Sequence, residues 1–373
     1  MSRQAPLKGA SMKRIKNIYE SIYSFDNLFE AYLSARKGKR FRQDVLRFTA
    51  NLEENLIALQ NELMWGTYNV GRYREFYVSE PKKRLIMALQ FRDRVVQWAI
   101  YRQLNPLLDK GFIYDSFGCR VGKGTHRAAD RLQHWLRQAD RKEGPHYYLK
   151  LDIAKYFYRV DHDKLVEILE RKIADKGLIH LLERIIRSET VAFGLPEGMS
   201  VEECAQDERL TMVGMPIGNL TSQMFANLYL NELDQYAKHE LKVRRYIRYM
   251  DDVIILHQDK RHLACIREQI REFLDCRLRL KLNDKTAIRP ISMGVEFVGL
   301  QMWATHRRMK KKSAIKMRRR LKYLKKAYAR GEVSASDVRA SVQSYLGLLR
   351  HCNSYSLRVK VVGGLRLTRS QNT

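Results

Sequence analysis

Two rhythms of apolar and polar positions run along this chain of 373 residues. From residue 12 to Gly66 the rhythm is helical: KNIYESIYSFDNLFEAYLSARK and VLRFTANLEENLIALQNELMWG repeat apolar residues three and four apart. YNVGRYREFYVSEPKKRLIMALQ reads as strands broken at Gly71 and Pro81, and RDRVVQWAIYRQLNPLLDKG returns to helix. At Tyr147 strict alternation sets in. In YYLKLDIAKYF, Leu149, Leu151 and Ile153 share one face while Tyr148, Lys150 and Asp152 share the other, predicting a half-buried strand that carries a carboxylate.

Helical spacing resumes in HDKLVEILERKIADKGLIHLLERIIRSE, followed by an irregular, Gly- and Pro-containing connection up to Pro216. NLTSQMFANLYLNELDQYAKHEL predicts an amphipathic helix with Met224, Phe225 and Leu228 on its inner stripe. RYIRYMDDVIILHQD (245–259) predicts a hairpin with Asp251 and Asp252 at or near its tip. A helix over 261–276 and short strands through FVGLQMW come next. After Trp303 the composition shifts to a basic helical pattern, KKKSAIKMRRRLKYLKKAYARG, and a last helix covers Asp337–His351. There is no internal repeat.

The charge changes the picture. Lys and Arg total 70 against 41 Asp and Glu, a net +29, spread along the chain among 20 Tyr and 13 Phe. That favours a polyanion with stackable bases, nucleic acid, over an anionic membrane, which one amphipathic block would serve. No run of about 20 apolar residues predicts a membrane span, and the N-terminus lacks the apolar core of a secretory signal. Five scattered cysteines without a C-x-x-C pair speak against structural zinc and a disulfide framework, and for a reducing cytoplasm.

Adjacent aspartates between apolar runs need partners, because buried like charges cost several kcal/mol each. If the 245–259 hairpin lies beside the strand ending at Asp152, three carboxylates converge, and divalent cations would make them tolerable. Oxygen donors with sparse His and Cys suit Mg²⁺ or Mn²⁺, and two such ions can drive phosphoryl transfer. The plainer alternative is a hairpin turn, whose geometry Asp tolerates.

Here the sequence resembles reverse transcriptases. Tyr249-Met250-Asp251-Asp252 matches their YMDD signature, and LDIAKYFYRVDHDKL (151–165) looks like the motif that supplies the first metal-binding aspartate. GMPIGNLTSQMFANLYLNELD (214–234) looks like the glycine turn and helix beneath template and nucleotide. LKLNDKTAIRPISMGVEFVGL is similar to the late palm motifs, KKRLIMALQFRDRVVQ and SFGCRVGKGTHRA to the fingers, and SYLGLLRHCNSYSLR to the thumb of group-II-intron-like enzymes. The variant Ile217-Gly218…Ser222-Gln223 resembles the enzymes of diversity-generating retroelements.

The resemblance implies an α+β right-hand polymerase. N-terminal helices and fingers would occupy 1–145, and an antiparallel-sheet palm 146–302, with an insertion at about 165–213. A basic helical thumb would occupy 303–373. It implies copying of a template-repeat RNA into mutagenised cDNA from dNTPs, two Mg²⁺ ions (Mn²⁺ a substitute), grip on an RNA–cDNA hybrid, and a small basic accessory variability protein. No membrane is implied, and the setting would be the cytoplasm of a bacterium or archaeon, or a phage-encoded system. Retron, abortive-infection or CRISPR-linked reverse transcriptases are the enzymic alternatives, and a catalytically silent RNA-binding protein the non-enzymic one.

Carried over by position, Asp152 and Asp251 match the metal-bridging aspartates and Asp252 their neighbour. Phe157 matches the aromatic that excludes a 2′-OH; its alternative is a core aromatic, with Tyr156 as register competitor. Gly218 would allow close backbone approach to a ligand. Ser222 is either a substrate contact or a helix-start residue, and Gln223 either a hydrogen-bond donor to the nascent pair or a packing residue. Lys83 and Arg84, in a run with Lys82, match the triphosphate-gripping cations. Arg120 is a candidate for the same duty or for template phosphate. Lys285 would protonate the leaving pyrophosphate or simply neutralise charge. GCRVGKGT does not fit Walker spacing, and Asn219-Leu220-Thr221 is a glycosylation sequon by letters only.

Overall fold

The computed structural model describes residues 13–78, 84–187, 192–363 and 366–368. Four helices open it: α1 (Tyr19–Tyr23), α2 (Phe25–Arg36), α3 (Gln43–Ala50) and α4 (Leu52–Met64). Strands β1 (Arg74–Val78) and β2 (Arg84–Ala88) pair antiparallel, and α5 (Phe91–Asp109) follows. The predicted break at Pro81, with Lys82 and Lys83, lies outside the described residues. A helix that the reading of the sequence passed over, α6 (Thr125–Asp140), precedes β3 (Tyr147–Asp152).

After β3 come α7 (Tyr156–Arg159), α8 (His162–Lys172) and α9 (Lys176–Ile186), then α10 (Leu220–Gln235). The single helical stretch expected over 162–189 is two helices. Asp175 splits it by capping α9 and also accepting from the backbone of Ile18 and Tyr19. Strands β4 (Tyr246–Tyr249) and β5 (Asp252–His257), α11 (Lys260–Leu278) and β6 (Ala287–Pro290) complete the central sheet, ordered β4-β5-β3-β6 and antiparallel throughout. A second sheet holds β7 (Val295–Phe297), β8 (Leu300–Met302) and β9 (Arg307–Met309). It runs through residue 303, where composition suggested a boundary. The basic helix α12 (Lys311–Ala329) begins beyond it, followed by α13 (Ala335–Leu349) and α14 (Tyr355–Gly363).

Alternation sorts the central sheet onto two cores. Leu149, Leu151, Tyr246, Val253 and Ile255 face the large core with α10 and α11, whereas Tyr148, Ile247, Ile254 and Leu256 pack with α6, β7 and β8. The strand expected to be half-buried is therefore covered on both faces until Lys150 and Asp152. Nor is α10 amphipathic: every residue from Thr221 to Asp234 except Gln223 is buried, because α5, α8 and α11 all pack on it. The basic α12 turns Met317, Leu321 and Leu324 onto a small core of its own with α13. Mixed helices and antiparallel sheets make the class α+β.

Candidate active site

The register of two strands builds the site. β3 and β5 pair so that Asp152 lies opposite Asp252, while Asp251 occupies the turn between β4 and β5. All three carboxylates line one cavity of about 440 Å³, together with Lys150, Lys285, Arg289, Glu296 and Lys310. The carboxylates share that cavity, as the sequence led us to expect. They are not drawn into a compact set: among the described residues no three His, Cys, Asp or Glu form a group fit to hold a metal.

A lysine intervenes. The Lys150 ammonium lies 3.3 Å from Asp252 Oδ2 and donates to the Glu296 carbonyl at 2.9 Å. Asp252 Oδ1 is buried without a hydrogen-bond partner. Burial pushes the Asp252 carboxyl up to about 6; Lys150 opposes this, and the charges of Asp251 and Asp152 add to it. The donor chemistry, an orphaned carboxylate oxygen beside two further carboxylates, suits hard divalent cations such as Mg²⁺ or Mn²⁺, although the three side chains are not gathered into a ready-made set.

The turn carrying Asp251 is held from beneath. Met250 adopts a left-handed conformation (φ 55°). Its carbonyl accepts from Arg248 Nη1 at 3.1 Å, and Arg248 is itself clamped on Asp234 by two bonds of 2.6 and 2.7 Å. Both charged residues are fully buried, and the Tyr246 hydroxyl donates to the same Asp234 at 2.7 Å. Asp234 outweighs the desolvation of Arg248 and holds its guanidinium above the usual range. From the other side Gly118 presses on the turn: a Cβ there would stand 2.6 Å from the Met250 nitrogen. Asn227 fixes that glycine by donating to its carbonyl at 2.7 Å.

The remaining candidates are distributed as follows. Phe157 is half-buried on α7, edge-on to Tyr156, whose ring is buried with its hydroxyl donating to the Ala226 carbonyl at 2.6 Å. Gly218 has φ 121°, and a Cβ there would approach Ile86 Cγ2 to 3.2 Å. The adjacent Ile217 carbonyl accepts from the Met87 nitrogen at 3.1 Å, joining this turn to β2. Ser222 is buried in the first turn of α10 and does not cap it; the cap position is Asn219, whose amide donates to the Tyr73 hydroxyl at 3.0 Å. Gln97 accepts from the Leu220 nitrogen instead, and Gln223 is half-buried. Arg84 is exposed at the start of β2 and its charge reaches Tyr158, beside Phe157. Lys83 lies outside the described residues. Lys285 is exposed on the shared cavity.

Arg120 departs from expectation. Its side chain is buried and bound to Asp109 at 2.5 and 3.0 Å and to the carbonyls of Ile113 and Ser116. Every face of that guanidinium is used within the fold, so it is not offered to a phosphate. Conversely, Lys150, Arg289, Lys310, Arg248 and Asp234 were missed. Only the position of Lys150 on the Asp152 face of its strand hinted at any of them.

The family described as reverse transcriptase (RNA-dependent DNA polymerase) matches residues 79–302. Protein YkfC of Escherichia coli K12 is 28% identical over 299 residues, 71% of this chain and 74% of YkfC. Group II intron-encoded protein LtrA of Lactococcus lactis is 22% identical over 78% of this chain and 57% of LtrA, so the chain spans little more than half of that relative. Among solved structures, apo telomerase from Candida tropicalis aligns over 78% of this chain and 59% of its own, at 13% identity and a TM-score of 0.46. With the match running through both carboxylate strands and the glycine turn, this chain belongs to the reverse transcriptase family.

Proposed function

We propose that the chain is an RNA-directed DNA polymerase in which Asp152, Asp251 and Asp252 form the catalytic centre. The observation that carries this reading is the opposition of Asp152 and Asp252 across β3 and β5, with Asp251 on the same cavity. Asp152 and Asp251, with Asp252 beside them, are the residues that would hold divalent cations; when bound, such ions activate a primer 3′-hydroxyl and stabilise charge on the α-phosphate. Lys150 keeps Asp252 oriented in its strand. Lys285 and Arg289, on the same cavity, would neutralise or protonate the departing pyrophosphate. Arg84, with Lys83, would hold the triphosphate, and the half-buried Phe157 would exclude a ribose 2′-OH. Gly218 would let template or nucleotide approach the backbone, with Gln223 beside it. The test is extension of a DNA primer on an RNA template with dNTPs and Mg²⁺. No product, alone or with an accessory protein, would leave only RNA binding.

Within that reaction we infer work in a diversity-generating retroelement, copying a template-repeat RNA alongside a small basic accessory protein. The support is the pairing of Ile217-Gly218 with Ser222-Gln223 in the glycine turn. Sequencing of cDNA made on a defined RNA tests this. Substitutions concentrated opposite template adenines are expected, and uniform low error would return the chain to the other group-II-like enzymes.

A further inference from the structure

We infer a second nucleic-acid site on this protein: a basic pocket at the far end of the central sheet that takes the phosphate backbone of a folded RNA. It lies where β5 ends and α11 begins. Tyr147 pairs with His257 there, five residues along the strands from the Asp152–Asp252 pair. At about 3.4 Å per residue this is about 17 Å from the carboxylates. The pocket encloses about 390 Å³, and its floor is apolar, with Ile255, Leu256 and Leu263.

Its rim is cationic. Lys142, Lys242, Arg244 and Arg245 converge there from the α6–β3 connection and the approach to β4. His257 and His262 add two imidazoles with ring centroids 4.3 Å apart. No carboxylate lines the pocket, and among the described residues none of these four cations makes an ion pair. Elsewhere in this chain basic side chains are commonly matched: Arg171 with Glu232, Arg209 with Glu75 and Arg279 with Asp161. Asp259 offsets the two imidazoles, but the four Lys and Arg side chains are gathered without an ion-pair partner among the described residues; like charges so placed repel one another, and a bound polyanion relieves that repulsion. Behind the rim, His146 is buried with Nε2 lacking a partner. Burial first, and then the charges of Arg245, Lys142 and His257, hold it below the usual imidazole range.

The occupant is a phosphate backbone because exposed cations around an apolar-floored hollow fit phosphates projecting from a compact surface. A folded RNA brings phosphates from separate strands together in that way. Such a site would hold RNA while the polymerase cleft is otherwise engaged. It does not depend on the catalytic assignment, since it is read by binding alone.

The test compares the full chain with a triple variant, Lys142→Gln, Lys242→Asn and Arg244→Gln. All three positions are exposed, and Asn suits the left-handed backbone of residue 242 (φ 52°). Binding of a long folded RNA is measured across salt with the cleft saturated by a short unlabelled template–primer. The variant should lose roughly tenfold or more in affinity and show a salt slope shallower by about two to three, with extension of the short template–primer unchanged. Equal affinity and slope would overturn the site, and so would a parallel loss on the short template–primer, which would assign these cations to the polymerase cleft. If millimolar inorganic phosphate stabilises the wild type but not the variant while both bind RNA equally, the pocket takes a small anion and the RNA assignment falls. Should the triple variant fold poorly, Arg244→Glu alone carries the same comparison.

Discussion

Arg248 and Asp234 pair at 2.6 Å with both side chains fully buried, directly beneath the turn that presents Asp251. Removing one partner leaves an uncompensated charge in the core. Asp234→Ala or Arg248→Ala should each destabilise the fold by about 3–5 kcal/mol. The double replacement Asp234→Leu with Arg248→Met should cost less than either single change. Urea unfolding followed by circular dichroism reads the difference, and additive losses would mean the two charges do not depend on each other.

Asp251→Asn keeps the size of the side chain and removes its charge. Primer extension should drop by roughly a thousandfold or more, while affinity for template–primer and the melting temperature stay near wild type. Retained cDNA synthesis would remove Asp251 from the catalytic centre.

Gly118→Ala places a methyl 2.6 Å from the Met250 nitrogen, where backbone must yield. The expected cost is about 1–3 kcal/mol of stability, together with a loss of kcat larger than any change in KM for dNTP. A variant with normal kcat would show that the turn accommodates the methyl without moving Asp251.

Phe157→Val should relax sugar discrimination. The ratio of dNTP to rNTP incorporation, measured as kcat/KM on one template, is expected to fall at least tenfold. The same change at the buried Tyr156 should instead lower stability, since its hydroxyl is bonded to Ala226.

Acid should weaken the fold through His162. This imidazole is 1% exposed; burial holds its pKa below the ordinary value, only partly offset by the Gly214 carbonyl at 2.7 Å. The unfolded chain therefore takes up the proton first, at about pH 6.5. Stability from a neutral His162 is complete above that pH and declines as the pH falls toward the folded pKa, by up to about 1.4 kcal/mol per pH unit. Melting temperatures at pH 7.5 and 5.5 should differ less in His162→Gln than in the wild type.

Much of this architecture was legible from residue spacing. Alternation over Tyr147–Ile153 and the apolar runs flanking Asp251 and Asp252 located β3, β4 and β5, and two carboxylates facing each other followed from their pairing. Helix α6 was passed over, although Ala128, Leu132, Trp135, Leu136 and Ala139 repeat at helical spacing. Spacing also read α10 as amphipathic, whereas its polar Asn227, Asn231 and Asp234 are buried too: Asn227 bonds to Gly118 and Asp234 to Arg248 across the fold, and Asn231 accepts from Gln235 in the same helix. The same blindness hid Arg248 and misassigned Arg120. A lone arginine carries no mark in sequence of whether a carboxylate waits for it inside.

Lys150 bears on how this protein can be handled. Because an ammonium from the neighbouring strand already sits against Asp252, and Lys285, Arg289 and Lys310 line the same cavity, the fold around the carboxylates should not need a solute ion to hold together. Purification through a chelator should accordingly yield a polymerase that is silent yet intact, ready to be restored by adding the ion back.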